Sequence, residues 1–288
     1  MANSKLYQLD SAEFAKQLNI LCLKAKKRKK QQQRLPINWQ GKETFEFEEY
    51  RQYNPGDDLR RVDWNIYNRL QEIVIKEYEI DPPQHLVVIL DISKSMDVFH
   101  KLQYAKALSA ALVYIGATLL DKVSFLCFPH TQQSLRSFSN NRNIFPFFSF
   151  LQQISSHQDV ASLKECFQQF RLLNSTNINT VVISDFYTQE YFTSMRMFRG
   201  TCTAVQVVSE EELHPQLSGN MCFEDAESNK QHSLFIDKER MKIYHKNFHD
   251  HLSQVKNHCW QHKINYLLTE KHNLTFVLNI LQTAGFIR

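Results

Sequence analysis

Glycine is scarce in this chain, six in 288 residues, and none of them falls in a GxGxxG turn or a Walker-type loop. Neither common phosphate-cradling nucleotide site is therefore encoded. Cysteine is as sparse and as unpatterned: Cys22, Cys127, Cys166, Cys202, Cys222 and Cys259 include no CxxC pair and no dense framework. That argues against a zinc ribbon and a disulfide-stapled scaffold, and for reduced thiols in a cytosolic protein. Long apolar runs are missing too. The longest, "ALSAALVYIGATLL" from Ala107 to Leu120, is broken by Ser109 and Gly116 and falls short of the roughly 18 residues a spanning helix needs, so it reads as a buried core helix. The N-terminus, "MANSKLYQLD", lacks the basic and apolar regions of a signal peptide. The expectation is a cytoplasmic protein with no membrane span.

Charge of one sign is also in short supply. A formal net charge of +4 over the whole chain does not make it a general polyanion binder. The excess is concentrated in one segment, "KAKKRKKQQQR", which carries Lys24, Lys26, Lys27, Arg28, Lys29, Lys30 and Arg34. No aromatic residue is interleaved, so base stacking has no support there. Two readings stay open: a solvated helix end, or a contact to phosphate, nucleic acid or an acidic partner.

What the chain does contain is an ordinary globular balance, 43% hydrophobic and 22% charged, enough to bury a substantial core. A weak helical period over residues 5–23 predicts a helix that runs into the basic segment. Alternating residues in "FEFEEYRQY" (45–53) and "EIVIKEYEI" (72–80) predict two half-buried strands paired with each other, and the stretch between them opens on a Pro-Gly turn signal. From Leu86 onward short aliphatic runs, 86–90, 123–128, 180–184, 202–208 and 264–268, alternate with helical patterns at 102–120, 143–154, 159–172, 188–198 and 241–262. Continuous apolar strands are usually covered on both faces. The fold class expected is α/β, a doubly wound and mainly parallel sheet. It follows an N-terminal helix and basic segment (1–35) and a small β-rich element (36–80), and occupies residues 81–288.

In such a sheet ligands bind at the carboxyl ends of the strands, near the point where the winding reverses. "VVILDISKSMD" stops its aliphatic run at Asp91 and follows with Ser93 and Ser95, and Asp185 takes the equivalent place after "TVVIS". Two carboxylates and two hydroxyls on one edge suit a hard cation such as Mg²⁺ or Mn²⁺, which takes oxygen ligands. The bland alternative is a helix-capping aspartate followed by turn serines.

"LDISKSM" resembles the DxSxS metal-ion-dependent adhesion site of von Willebrand factor A domains. Upstream, "FEFEEYRQYNPGDDLRRVDW" resembles the hallmark block of the DUF58 family, which precedes a von Willebrand A-like domain. Arg51, Tyr53, Pro55, Gly56, Asp57, Asp58, Arg60, Asp63 and Trp64 all fit that block. "VVISDF" at 181–186 resembles the family's second acidic strand end, and "EEL" (211–213) with "FEDAES" (223–228) is similar to its compact form. The resemblance implies that Asp91, Ser93, Ser95 and Asp185 are metal ligands. The family's middle-loop Thr-Asp pair has no match, since Gln158 stands where the threonine belongs, before Asp159; Ser155, Ser156 and Asp159 are the substitutes at hand. It also implies an interaction module, not an enzyme, that binds a protein partner through Mg²⁺ and acts with a MoxR-type AAA+ ATPase in assembling or maturing protein complexes.

Other constellations are less specific. The Arg- and Asp-rich block reads first as a salt-bridged turn pinning its flanking strands. His245, His249, His251, His258 and His262 include two four-residue spacings of the kind that binds transition metals, but solvated histidines beside an apolar helix face account for them. An aspartyl phosphotransferase needs a second acid where Ser93 stands, and no nucleophile has a visible base.

Overall fold

The structure is a computed structural model and describes residues 8–32, 45–80, 84–128, 136–138, 144–156, 178–187, 190–195, 200–225, 230–269 and 273–287. The chain forms two units, one of Met1–Arg34 with Gln84–Arg288 and one of Leu35–Pro83. The helical expectation at 159–172, together with Gln158, Asp159, Cys166 and Arg34, lies outside the described residues.

In the smaller unit β1 (Phe45–Gln52) pairs antiparallel with β2 (Val74–Ile80), as the alternation anticipated. The Arg51–Trp64 block starts in the last two residues of β1, ends at the first residue of a helix before β2, and uses its acids as acceptors for backbone amides. Arg51 donates to both Asp57 oxygens at 3.0 and 3.1 Å, and Asp57 also accepts from the Asn54 amide at 2.8 Å. Gly56 sits at φ +112°, where a side chain would be strained. Asp58 caps a single 3₁₀ turn through the Arg60 amide at 3.0 Å. Asp63 accepts from Asn65 and Ile66 at the start of the helix Trp64–Leu70, and from the Tyr50 hydroxyl at 3.2 Å. Trp64 itself remains more than half exposed. The block is thus a turn held by its own side chains.

In the larger unit α1 (Ala12–Gln32) carries its period past residue 23 and into the basic segment as far as Gln32. Phe14, Leu18, Leu21, Cys22 and Ala25 bury one face at three- and four-residue steps. With Trp64–Leu70 as α2, the next elements are β3 (His85–Asp91), α3 (Lys94–Asp97), α4 (Lys101–Leu119), β4 (Lys122–Phe128), β5 (Arg136–Phe138) and α5 (Phe145–Gln153). Then follow β6 (Ile178–Ser184), α6 (Glu190–Met195), β7 (Cys202–Val207), α7 (Glu210–Leu213), β8 (Gly219–Glu224), β9 (Gln231–Ile236), α8 (Lys238–Gln261), β10 (Asn265–Thr269) and α9 (Phe276–Thr283). Among the described residues the main sheet has six strands in the order β10-β7-β6-β3-β4-β5, all parallel except β5. β8 and β9 form a separate antiparallel hairpin that sequence alternation had not marked.

Period-two alternation divides β3 between two cores. Leu86, Val88 and Leu90 join the layer shared with α1, α4, α5 and α9, whereas Val87 and Ile89 pack with Tyr191, Met195, Val255 and Cys259 of α6 and α8. Helix α4 lies close on the sheet, and Gly116 permits this: a Cβ there would stand 2.7 Å from Val123 Cγ2. Cys22, Cys127, Cys202 and Cys259 are free and buried, and Cys222 is free and exposed. Among the described residues no helix is long and apolar enough to cross a membrane.

Candidate functional site

The strand order places the reversal of winding between β3, which leads outward to β4, and β6, which lies on its other side. Asp91 ends β3 and Asp185 follows β6, so both acids occupy the crevice where parallel sheets hold ligands. Both are almost wholly buried, 1% and 2% exposed, and a charge so buried persists only when paired or well hydrogen-bonded.

Asp91 is held from three directions. Its Oδ1 accepts the Ser93 amide at 2.8 Å, and its Oδ2 accepts the hydroxyls of Ser184, at 2.6 Å, and Tyr191. Burial first, and the Asp185 charge second, raise the Asp91 carboxyl above the usual carboxylate range, against the lowering effect of those three hydrogen bonds. The two acids are therefore neighbours that repel. Just beyond, the Ser93 and Ser95 hydroxyls meet at 3.0 Å, half-buried. Ser93 begins α3 without capping it through its side chain, which leaves the hydroxyl for Ser95.

Asp185 has a partner that the sequence reading missed. Lys101, the first residue of α4 and 1% exposed, places its Nζ 3.0 Å from Asp185 Oδ2 and 2.7 Å from Glu212 Oε1. Glu212 closes a capping box with Ser209 at the start of α7, accepting the Ser209 amide at 3.0 Å while Ser209 Oγ accepts the Glu212 amide at 3.1 Å. The Tyr187 hydroxyl donates to Glu212 at 3.3 Å, and the Tyr187 ring lies 5.1 Å from the Lys101 ammonium and stacks on His251 at 4.6 Å. Gln206 donates to the Asp185 carbonyl at 3.0 Å and is gripped by the Tyr266 hydroxyl at 2.7 Å. Burial, then Glu212 and Asp185, push the Tyr187 hydroxyl far upward, so it remains a donor. The S-x-x-E pattern of Ser209 to Glu212 is a capping signature legible in sequence; Lys101, Tyr187, Ser184 and Tyr191 carry no comparable signal.

The four principal ligand candidates, Asp91, Ser93, Ser95 and Asp185, come together, whereas Ser156, one of the two described middle-loop candidates, reaches a different group. Ser156 donates to Asp97 at the end of α3 at 3.1 Å, and Ser155 is exposed. Among the described residues no group of three or more His, Cys, Asp or Glu side chains is arranged to hold a metal, so any ion at this edge draws on serine hydroxyls. Asp91, Ser93 and Ser95 present oxygen alone, and Asp185 and Glu212 bring two further carboxyl groups around the Lys101 ammonium. That donor chemistry fits a hard divalent cation. Asp185 contributes charge, with Oδ2 already given to Lys101. Of the C-terminal histidines, His251 joins the site's surroundings, and His258 and His262 stack on each other at 6.4 Å.

The comparisons with known proteins add the family. No curated protein and no solved structure matches the chain. The family model described as "Protein of unknown function DUF58" matches residues 49–254, a span that runs from the Arg51–Trp64 block through Asp91, Asp185 and Glu212. The chain belongs to the DUF58 family.

Proposed function

We propose that this protein is a non-catalytic interaction module of von Willebrand A-like type, which binds a protein partner in the cytoplasm through the carboxyl edge of its sheet. On this reading it acts with a MoxR-type AAA+ ATPase in the assembly or maturation of protein complexes. The observation that carries the reading is the pair of Ser93 and Ser95 hydroxyls, 3.0 Å apart, immediately beyond a buried carboxylate at the reversal of the sheet. Asp91, Ser93 and Ser95 would hold Mg²⁺ or Mn²⁺, with the Asp185 charge beside them. Bound there, the ion supplies a Lewis-acidic position that takes an acidic side chain of the partner.

The protein's own residues prepare that edge. Ser184 and Tyr191 fix one oxygen of Asp91 and leave the other on the side of Ser93. Lys101 and Gln206 fix the Asp185 segment from below. Burial raises the thiols of Cys127, Cys202 and Cys259, the opposite of an activated nucleophile, so these three serve the core.

The test is a binding titration of a purified MoxR-type ATPase against wild type and the Ser93→Ala/Ser95→Ala variant in Mg²⁺. The expected result is a loss of at least about tenfold in affinity for the variant, with modest salt dependence. Equal binding by the two proteins, or binding that falls steeply with salt as a polyanion contact does, would overturn the reading.

A further inference from the structure

The basic segment divides by what it faces. On α1, Lys24, Lys27 and Arg28 stand at i, i+3 and i+4 and line one cavity, which Lys26 and Lys30, exposed on the same helix, do not. Lys29 is spent on the fold, donating to Gln84 at 2.9 Å and to the Leu119 carbonyl at 2.6 Å.

The flank bearing Lys24, Lys27 and Arg28 lines a cavity of about 870 Å³ whose other wall is the carboxyl end of β10 and the start of α9. Thr275, Phe276 and Asn279 contribute to that wall, and no acidic residue lines the cavity among the described residues. Nor does any of the three cations pair with a carboxylate there among the described residues. The cavity thus joins three positive charges, amide and hydroxyl groups, and the half-buried ring of Phe276, with the positive end of the α9 dipole on the same side. Its volume falls within the roughly 300–1,000 Å³ of small-molecule sites and exceeds what a bare inorganic anion fills. It lies at the carboxyl edge of the outermost strand β10, separated from β3 by β7 and β6.

We propose that this cavity binds a small organic phosphate of about nucleotide size, its phosphate held by Lys24, Lys27 and Arg28 and its body packed toward Phe276. A single-stranded nucleic acid fits less well, because it needs a groove that tracks the backbone and successive stacking rings, and here the charges converge on one concavity.

The test is calorimetric titration with ADP, pyrophosphate and adenosine. It compares wild type with Lys27→Gln/Arg28→Gln and with the charge-matched control Lys26→Gln/Lys30→Gln, all carrying their substitutions on the accessible surface of one helix. The expected result is 1:1 binding of ADP, at least about tenfold tighter than adenosine. The Lys27→Gln/Arg28→Gln variant should lose about tenfold or more, and the control should stay within about twofold of wild type. Three results would overturn the proposal: no binding of ADP or pyrophosphate up to about 5 mM, adenosine binding as tightly as ADP, or equal losses in the two variants. The last would mean diffuse attraction of a polyanion to the whole basic run.

Discussion

The Lys101 ammonium lies 3.0 Å from the Asp185 carboxylate with both side chains at least 97% removed from solvent. Glu212 completes the arrangement from α7 at 2.7 Å. Two acids that follow different strands are thus tied to the first residue of the helix leading away from Asp91, and the edge is organised by an internal cation.

Removing that cation leaves two buried carboxylates without their partner. Lys101→Met should destabilise the larger unit by about 3–5 kcal/mol, the usual cost of breaking a buried ion pair by deleting one member. Adding Asp185→Asn and Glu212→Gln to the same chain should restore much of the loss. Urea unfolding checks both, and a loss below about 1 kcal/mol for Lys101→Met would contradict the assignment.

Asp63 serves the smaller unit as the N-cap of α2. Asp63→Ala should cost about 0.5–2 kcal/mol locally. Hydrogen exchange reads this most directly: the Asn65 and Ile66 amides, which donate to Asp63 Oδ1, should exchange faster in the variant while those of β3 stay protected.

His85 gives the larger unit a pH dependence. Burial first and Lys122 second lower its pKa from 6.5 to about 4, and its Nε2 lies 3.0 Å from Ser124 Oγ. Since the folded state resists protonation, the stability linked to His85 is fully present above about pH 6.5 and is lost as pH falls toward 4. His85→Gln should lose less stability than wild type between pH 7 and pH 5, measured as the shift in urea midpoint. Parallel losses in the two proteins would count against this account.

The legible parts of the fold are those where local pattern and burial agree. Unbroken runs such as "VVIL" and "TVVIS" can be buried only on both faces, and an acid ending each run falls on the sheet's ligand edge, so Asp91 and Asp185 could be read directly. Lys101 could not, because its partners lie 84 and 111 residues away and nothing in its neighbourhood distinguishes it from a solvated lysine at a helix start. Tyr191, 100 residues from Asp91, was hidden in the same way. The β8-β9 hairpin was missed for the opposite reason: β9 is exposed along nearly its whole length, so burial left no alternation to read there, and the alternation of β8, only six residues long, had no patterned partner beside it. Helix α9 is only eight residues long, too short for its period to stand out from a strand of similar composition.

The most direct test of the central claim is thermal unfolding of wild type and Ser93→Ala/Ser95→Ala, each titrated with Mg²⁺ against an EDTA baseline. A ligand that binds only the folded state adds RT ln(1 + [L]/Kd), about 2.7 kcal/mol at a hundredfold excess over Kd. The account predicts a saturable rise for wild type that the double variant lacks. An equal response from both proteins, or none from wild type, would contradict a cation site built on Asp91, Ser93 and Ser95.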